Sequence, residues 1–423
     1  MKLPLMHTVR QQFPATPSVA VASELKRQFD TLREKLHPGM KVAVAVGSRG
    51  ICRLAEVVHA TIGLLKEAGA EPFILPAMGS HGGATEEGQR DLLAGYGVTE
   101  ETMGAPVRVS MEVTEIGRSE DGMPVWCATE ALRAEGILLI NRIKPHTDFL
   151  GGLGSGLLKM SVVGLGKREG ASAMHQAAAW LGYERCILGA ARLMCQKAPL
   201  LGGIGIVENA LHDIGKLAVI PVEQLEKRER ELFLDAKQWM PRLPFEEIDL
   251  LVVDRIGKNI SGTGMDPNVT GRWVHHYTSS LQREDRPAPF VRRIFVRDLT
   301  PETHGNATGI GLADITTTRL VQATDTRITY LNALTALSLP TAKIPIHFET
   351  DREAIEMILP SLALVDPAQA RIVRIANTLS LGKLEISEAL QSEAASNPML
   401  SSVGLGEEWR FDDQGNLSEL DHS

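Results

Sequence analysis

Short apolar runs of β type alternate with longer stretches of helical period along this chain, and this alternation limits its fold more than any other feature. A strand that is apolar at every position needs cover on both faces, which helices between successive strands supply. The pattern therefore predicts an α/β protein with largely parallel sheets. Residues 41–47 (KVAVAVG), 71–77 and 136–141 (GILLIN) read as strands, with helical periods at 54–68 and 85–96. Further helices are expected at 172–181, 184–196 and 222–239, and a further strand at 204–207.

The stretch 240–249 (MPRLPFEEID) places two prolines just before a new apolar strand at 250–254. Polar segments with proline lie where few contacts cross, which makes this the main domain boundary. Strands at 291–296 and 372–375, with helices at 327–337 and 351–360, then build a second α/β unit. The expected organisation is an N-terminal α/β domain over 1–245, a C-terminal α/β domain over 246–400, and a tail, 401–423, that frays or returns to the first domain. An active-site cleft is expected between the two domains.

Composition excludes several classes. A net charge of −8 without any block of five or six like charges leaves no electrostatic footprint for nucleic acid or an anionic membrane surface. The N-terminal MKLPLMHTVRQQ lacks the apolar stretch of a signal peptide. No run approaches the roughly 18 apolar residues of a membrane span, so a cytoplasmic protein is expected. Cys52, Cys127, Cys186 and Cys195 lie apart without a CxxC pair and read as plain buried thiols.

Four segments join glycines to reactive groups, and they sit where strands end, the place where open α/β sheets bind ligands. In 79–85 (GSHGGAT), glycines on both sides of His81 allow close backbone approach to a ligand and leave the imidazole uncrowded. The plainer alternative has Ser80 and Thr85 capping the next helix, with His81 in a surface turn. In 141–149 (NRIKPHTDF), Arg142, Lys144, His146 and Asp148 follow an apolar strand, and Pro145 stiffens the turn. Two cations beside His146 suit a carboxylate or phosphate, and Asp148 would fix the ring's tautomer. A solvated loop with incidental charge is the alternative.

The tract 151–170 (GGLGSGLLKMSVVGLGKREG) is the richest in glycine, yet its spacing fits neither a Walker A loop nor the dinucleotide fingerprint. As a backbone nest for an anion it is suitable. Lys159 stands among Leu157, Leu158, Met160, Val162 and Val163. Such an amine is paired, has a depressed pKa or is used covalently, unless its side chain snorkels to solvent. His175 lies in the helical stretch SAMHQAAAWLG, sixteen residues past Lys159, and taken alone reads as a packed core histidine. Arg49, in GSRG at the end of the first strand, suits a bidentate contact with a substrate carboxylate. In the second domain the loops 257–272 and 304–314 are too glycine-rich and polar for connectors alone. His275, His276 and His347 carry little signal.

Gly-Ser-His81 after an early strand, Lys144-Pro145-His146, a Ser-Gly tract leading to Lys159, and His175 sixteen residues on form a joint pattern. It resembles the nickel-pincer-nucleotide lactate racemase family, whose members carry Gly-Thr-His, Pro-His and Ser-Gly-Gly-x-Lys motifs and a histidine at the same interval. The resemblance implies that Lys159 tethers pyridinium-3,5-bisthiocarboxylic acid mononucleotide nickel, with Lys144, Gly154, Ser155 and Gly156 as further cofactor-binding positions. It implies His175 as the protein ligand to nickel, and imidazole with soft sulfur suits that metal. His81 and His146 are implied as the acid–base pair and Arg49 as the carboxylate anchor, for inversion of the C2 centre of a 2-hydroxy acid by hydride transfer. Proteins that make the cofactor are implied partners.

The chain departs from the family pattern at Leu157, where the second glycine of the lysine motif is expected, and in GSRG, which replaces Asp-x-Thr-Arg. The Tyr-Gln-x-x-Lys run is absent, and Arg272 and Asp266 are the substrate-side candidates in the second domain. Lactate and larger hydroxy acids such as sugar acids both stay open as substrates. Two other classes are retained: a non-catalytic cofactor- or anion-binding protein, and a metal-independent lyase with Lys159 as a Schiff-base amine.

Overall fold

The computed structural model describes residues 3–48, 50–147, 149–273 and 289–420. The chain forms two compact units, one of Ala15–Met240 and one that combines Met1–Pro14 with Pro241–Ser423.

In the unit Ala15–Met240, strands Lys41–Val46, Glu71–Pro76, Gly136–Arg142, Leu200–Glu208 and Ile214–Pro221 form one sheet. Across it the order is 71–76, 41–46, 136–142, 200–208, 214–221, with the first four parallel and the last antiparallel at the edge. Alternate residues face opposite ways. Ala43 and Ala45 pack with Leu139, Leu157 and Phe233, whereas Val42, Val44 and Val46 pack with Leu25, Val57 and Leu65. Cover on both faces explains why these strands read as unbroken apolar runs.

The strand order reverses between 41–46 and 136–142. The helix that follows the first of these, Leu54–Glu67, lies on one face, and the segment that follows the second lies on the other, through Leu157 and Leu158. Loops leaving such a reversal diverge and open a crevice at the carboxyl ends of the strands.

The second unit holds an eight-stranded sheet. Strands Ile346–Phe348, Ile315–Thr317, Phe290–Leu299, Glu247–Ile256 and Ile372–Ile375 run parallel in that spatial order. Lys383–Ser387, Met6–Gln11 and Leu400–Glu407 complete it as antiparallel neighbours. The expected 1–245 domain therefore divides differently, because its first segment is an inner strand, next to the edge, of the other unit's sheet. The tail also differs from expectation, since Leu400–Glu407 pairs with Met6–Gln11 inside this second unit. MHTVRQ shows no apolar run, and its partners lie almost the whole chain length away, so local periodicity does not reveal the pairing.

Buried ion pairs cross this second sheet. Asp254 bonds Arg374 and Arg297, each at 2.8 Å, and Asp351 bonds Arg297 at 2.8 Å and Arg319 at 2.6 Å. Among the described residues, no helix is long and apolar enough to cross a membrane.

Candidate active site

His81 sits in the loop leaving strand Glu71–Pro76, next to the strand that leads to Ser48. The Ser48 hydroxyl lies 2.6 Å from His81 Nδ1. Gln89, fully buried on helix Glu86–Gly95, ties the loop down by donating to the carbonyls of Gly79 at 2.9 Å and His81 at 3.3 Å. Lys167 holds Gln89 Oε1 at 2.9 Å and the Pro76 carbonyl at 2.6 Å, and burial lowers its ammonium pKa to about 8. Thr85 caps the helix, its hydroxyl accepting from Gly88 N–H at 3.1 Å, as the plainer reading of this loop had it. The same loop nevertheless holds His81 half-buried against Ser48.

The loop leaving strand Gly136–Arg142 is doubled back on the glycine tract. Lys144 N–H donates to Ser155 O at 2.8 Å and Ser155 N–H returns a bond to Lys144 O at 2.9 Å. A Cβ at Gly154 would collide with the Lys144 carbonyl and the Phe233 ring, and one at Gly156 with the Glu229 carboxylate. These glycines, expected to lie against a cofactor, thus have a packing reason within the chain itself. Their crossing brings Lys159 Nζ into hydrogen-bond contact with His146 Nε2.

Lys159 ends the single turn Leu157–Lys159, which runs directly into a π-turn, Met160–Gly164, closed by Leu165 N–H on Met160 O at 3.0 Å. Such wide turns are rare and frequent at functional sites. Glu229, wholly buried on helix Leu225–Trp239, accepts from Leu158 N–H at 2.9 Å and so anchors the turn that carries Lys159. Burial pushes its carboxyl up to about 7, against the lowering effect of the Leu158 and Leu157 N–H groups.

His146 stacks on Phe149 with ring centres 4.5 Å apart, and Phe149 stacks on Tyr183 at 4.7 Å with a 9° interplanar angle. Tyr183 meets His175 edge-on at 5.9 Å, and its hydroxyl lies 3.1 Å from His175 Nδ1. His175 is half-buried on helix Lys167–Leu181, while Tyr183 opens helix Tyr183–Lys197. The turn between them needs Gly182, whose φ of +81° lets the chain reverse at once and lay the tyrosine against the histidine. Lys159, His146 and His175 therefore belong to one chain of contacts, and the His81 loop joins it through Gly79 N–H, which donates to Gly164 O at 3.2 Å.

Arg49, Asp148, His275 and His276 lie outside the described residues. Arg142 pairs with Glu208 at 2.6 Å. In the second unit Arg272 is 2% exposed, its guanidinium donating to Asp314 at 3.1 Å and to the carbonyls of Leu312 and Val291. Asp266, 3% exposed, caps helix Pro267–Thr270 by accepting from Asn268 N–H. Both expected substrate-side groups are thus taken up by the interior of their own unit. His347 lies on the edge strand, 3.2 Å from the Thr318 hydroxyl. Cys127 and Cys186 are buried and Cys52 and Cys195 half-buried, with burial lifting Cys127 to about 12 and Cys52 to about 11.

Ser48, Gln89, Tyr183 and Glu229 carry no signal in the sequence that marks them as parts of this site, and Lys167 carries only a weak one. Each acts through a contact made only on folding. Lys167 was the one within reach, as a lysine inside the apolar glycine tract.

The architecture is that of a two-unit α/β protein with its reactive loops at the carboxyl edge of a parallel sheet. Residues 8–182 match the family described as the lactate racemase N-terminal domain. That match supports a racemase function in general. Among solved structures, the lactate racemase apoprotein from Thermoanaerobacterium thermosaccharolyticum is similar in fold, with a TM-score of 0.52 and 13% identity over 88% of this chain and 94% of that one. No curated protein matches.

Proposed function

We propose that this protein inverts the C2 centre of a 2-hydroxy acid, as a racemase or epimerase that works with a nickel pincer nucleotide. The observation that carries this reading is the contact chain from Lys159 through His146, Phe149 and Tyr183 to His175. An amine, an imidazole and a flat aromatic face are a donor set suited to a planar pyridinium nucleotide, so the residues fit the group. Among the described residues, no group of three or more His, Cys, Asp or Glu could hold a metal. A metal ligated by His175 would therefore need its other donors from a cofactor.

In this reading Lys159 would hold the nucleotide, with Lys144 and the main chain of Gly154, Ser155 and Gly156 beside it, and His175 would ligate nickel. Its Nδ1 lies 3.1 Å from the Tyr183 hydroxyl, a contact that orients the ring. When bound, the cofactor supplies a hydride acceptor for C2. The α C–H beside an ionised carboxylate is too weakly acidic for a histidine base, so His81 and His146 are assigned to the hydroxyl proton. One takes that proton as the C2 hydrogen leaves, and the other supplies a proton of its own to the oxygen when the centre is rebuilt on the opposite face. Arg49 is assigned to the substrate carboxylate. A cytoplasmic location belongs to the same reading.

Intact mass with and without the cofactor-producing proteins, together with chiral analysis of candidate hydroxy acids, tests it. An adduct on Lys159, bound nickel and inversion are expected. Absence of both nickel and inversion in the protein made with those partners overturns the reading. The Lys159–His146 contact also suits a Schiff-base amine, and borohydride trapping of a substrate on Lys159 would favour that second reading.

A further inference from the structure

Ser48 has no task in the assignments above, yet its geometry is specific. It follows strand Lys41–Val46 where the strand order reverses, and its hydroxyl meets a ring that comes from the neighbouring strand's loop. At 2.6 Å the Oγ–Nδ1 separation lies at the short end for such a bond. The two backbones are fixed independently. Gly47 N–H donates to Ile140 O at 3.1 Å, with Asn141 so close that a Cβ on Gly47 would strike it. His81's own carbonyl is held by Gln89, which Lys167 holds in turn.

We propose that Ser48 is the positioning residue of His81, holding the ring so that Nε2 is the nitrogen that exchanges the substrate's hydroxyl proton. The inference rests on the racemase reading. A hydroxyl accepts from Nδ1–H both before and after Nε2 gains a proton, so the ring keeps its place through the transfer. Unlike a carboxylate, the hydroxyl itself carries no charge. A nucleophilic serine is disfavoured by the same geometry. In the serine-hydrolase arrangement Nε2 faces the serine and Nδ1 faces an acid, whereas here Nδ1 faces the serine.

Ring ¹⁵N spectra of histidine-labelled protein, assigned for His81 with His81→Gln, read the tautomer directly in the wild type, Ser48→Ala and Ser48→Thr. Expected are a wild-type His81 protonated on Nδ1, a loss of that preference in Ser48→Ala with the His146 and His175 signals unmoved, and its return in Ser48→Thr. On any hydroxy acid that is inverted, kcat should fall about tenfold in Ser48→Ala with KM within about twofold, as for other orienting partners. An unchanged His81 tautomer in Ser48→Ala, a change shared equally by all three rings, or labelling of Ser48 by a fluorophosphonate overturns the proposal. The spectra need no substrate. A wild type that inverts no hydroxy acid would remove the racemase reading and leave the Ser48–His81 coupling decided by the spectra alone.

Discussion

Both units of this protein are built on parallel strands whose order reverses once, and both carry glycine-rich loops at the carboxyl ends of those strands. In the unit that contains Pro241–Ser423, the polar groups of these loops satisfy one another. Thr300 bonds Asn259 at 2.6 Å, Thr378 accepts from Asp266 N–H at 3.0 Å, and Arg272 is enclosed with Asp314. Gly264 and Gly309 are there because the two loops cross, and a Cβ on either would strike the other loop's carbonyl. In Ala15–Met240 the glycines serve equally close crossings, but what the crossings bring together is a lysine amine and histidine rings. Glycine richness therefore marks backbones that cross closely in both units. Only the groups gathered at the crossing mark chemistry.

The largest expected effect breaks that contrast directly. His81→Ala and His146→Ala should each lower the inversion rate by about 10²–10⁴, the share of a general acid–base group, with little change in the urea midpoint. Arg374→Met, in the other unit, should do the reverse. It strips Asp254 and Glu385 of their buried partner, and removing one member of a buried ion pair costs about 3–5 kcal/mol. Urea unfolding reads that loss. A histidine variant that unfolds as easily as Arg374→Met would erase the distinction between the two regions.

The distinction was only partly legible from residues alone. Strands 41–46 and 136–142 were visible because cover on both faces writes itself as an unbroken apolar run. The strands Val113–Arg118 and Met6–Gln11 were not, because VTEIGR and MHTVRQ mix polar and apolar residues and take their meaning from partners. His81, His146 and Lys159 stood out because a reactive group among glycines, prolines or leucines is locally odd. Tyr183 and Glu229 look like ordinary helix residues until Gly182 and the Leu157–Lys159 turn place them. The surroundings of Arg272 were hidden for the opposite reason: a cation in a glycine-rich loop looks available, and its buried partner Asp314 is forty-two residues away.

A pH series separates the units next. Glu229 titrates at about 7 in the folded chain, above its ordinary value of 4.5. Below about pH 4.5 it is protonated in both states and its contribution is fully present. Between there and neutrality the unfolded chain ionises first, so stability falls as pH rises, and the loss is complete above the folded pKa. At about 1.4 kcal/mol per pKa unit, the fall is on the order of 3 kcal/mol. Glu229→Gln should flatten it between pH 5 and 8. Asp254 works in the other window. Burial alone would raise its pKa, but Arg374 and Arg297 outweigh it and hold the carboxyl below its usual range, so its contribution is lost only as pH falls. Equal slopes for wild type and Glu229→Gln from pH 5 to 8 would remove Glu229 from the account.

The smallest effect is the sharpest comparison. Thr85 and Thr350 are equivalent helix caps, one in each unit, each accepting a backbone N–H at 3.1 Å. Replacement of either by alanine should cost about 1 kcal/mol of stability, read as a similar drop in the urea midpoint. Thr85 also donates to Gly82 O at 3.0 Å, inside the loop that carries His81. Its loss should therefore slow inversion a few-fold as well, since the ring's backbone is then held by Gln89 with less support. Thr350→Ala should leave the rate unchanged. If the two variants lose stability equally and neither changes the rate, the His81 loop is held by Gln89 and Lys167 alone, and the cap belongs to the helix rather than to the site.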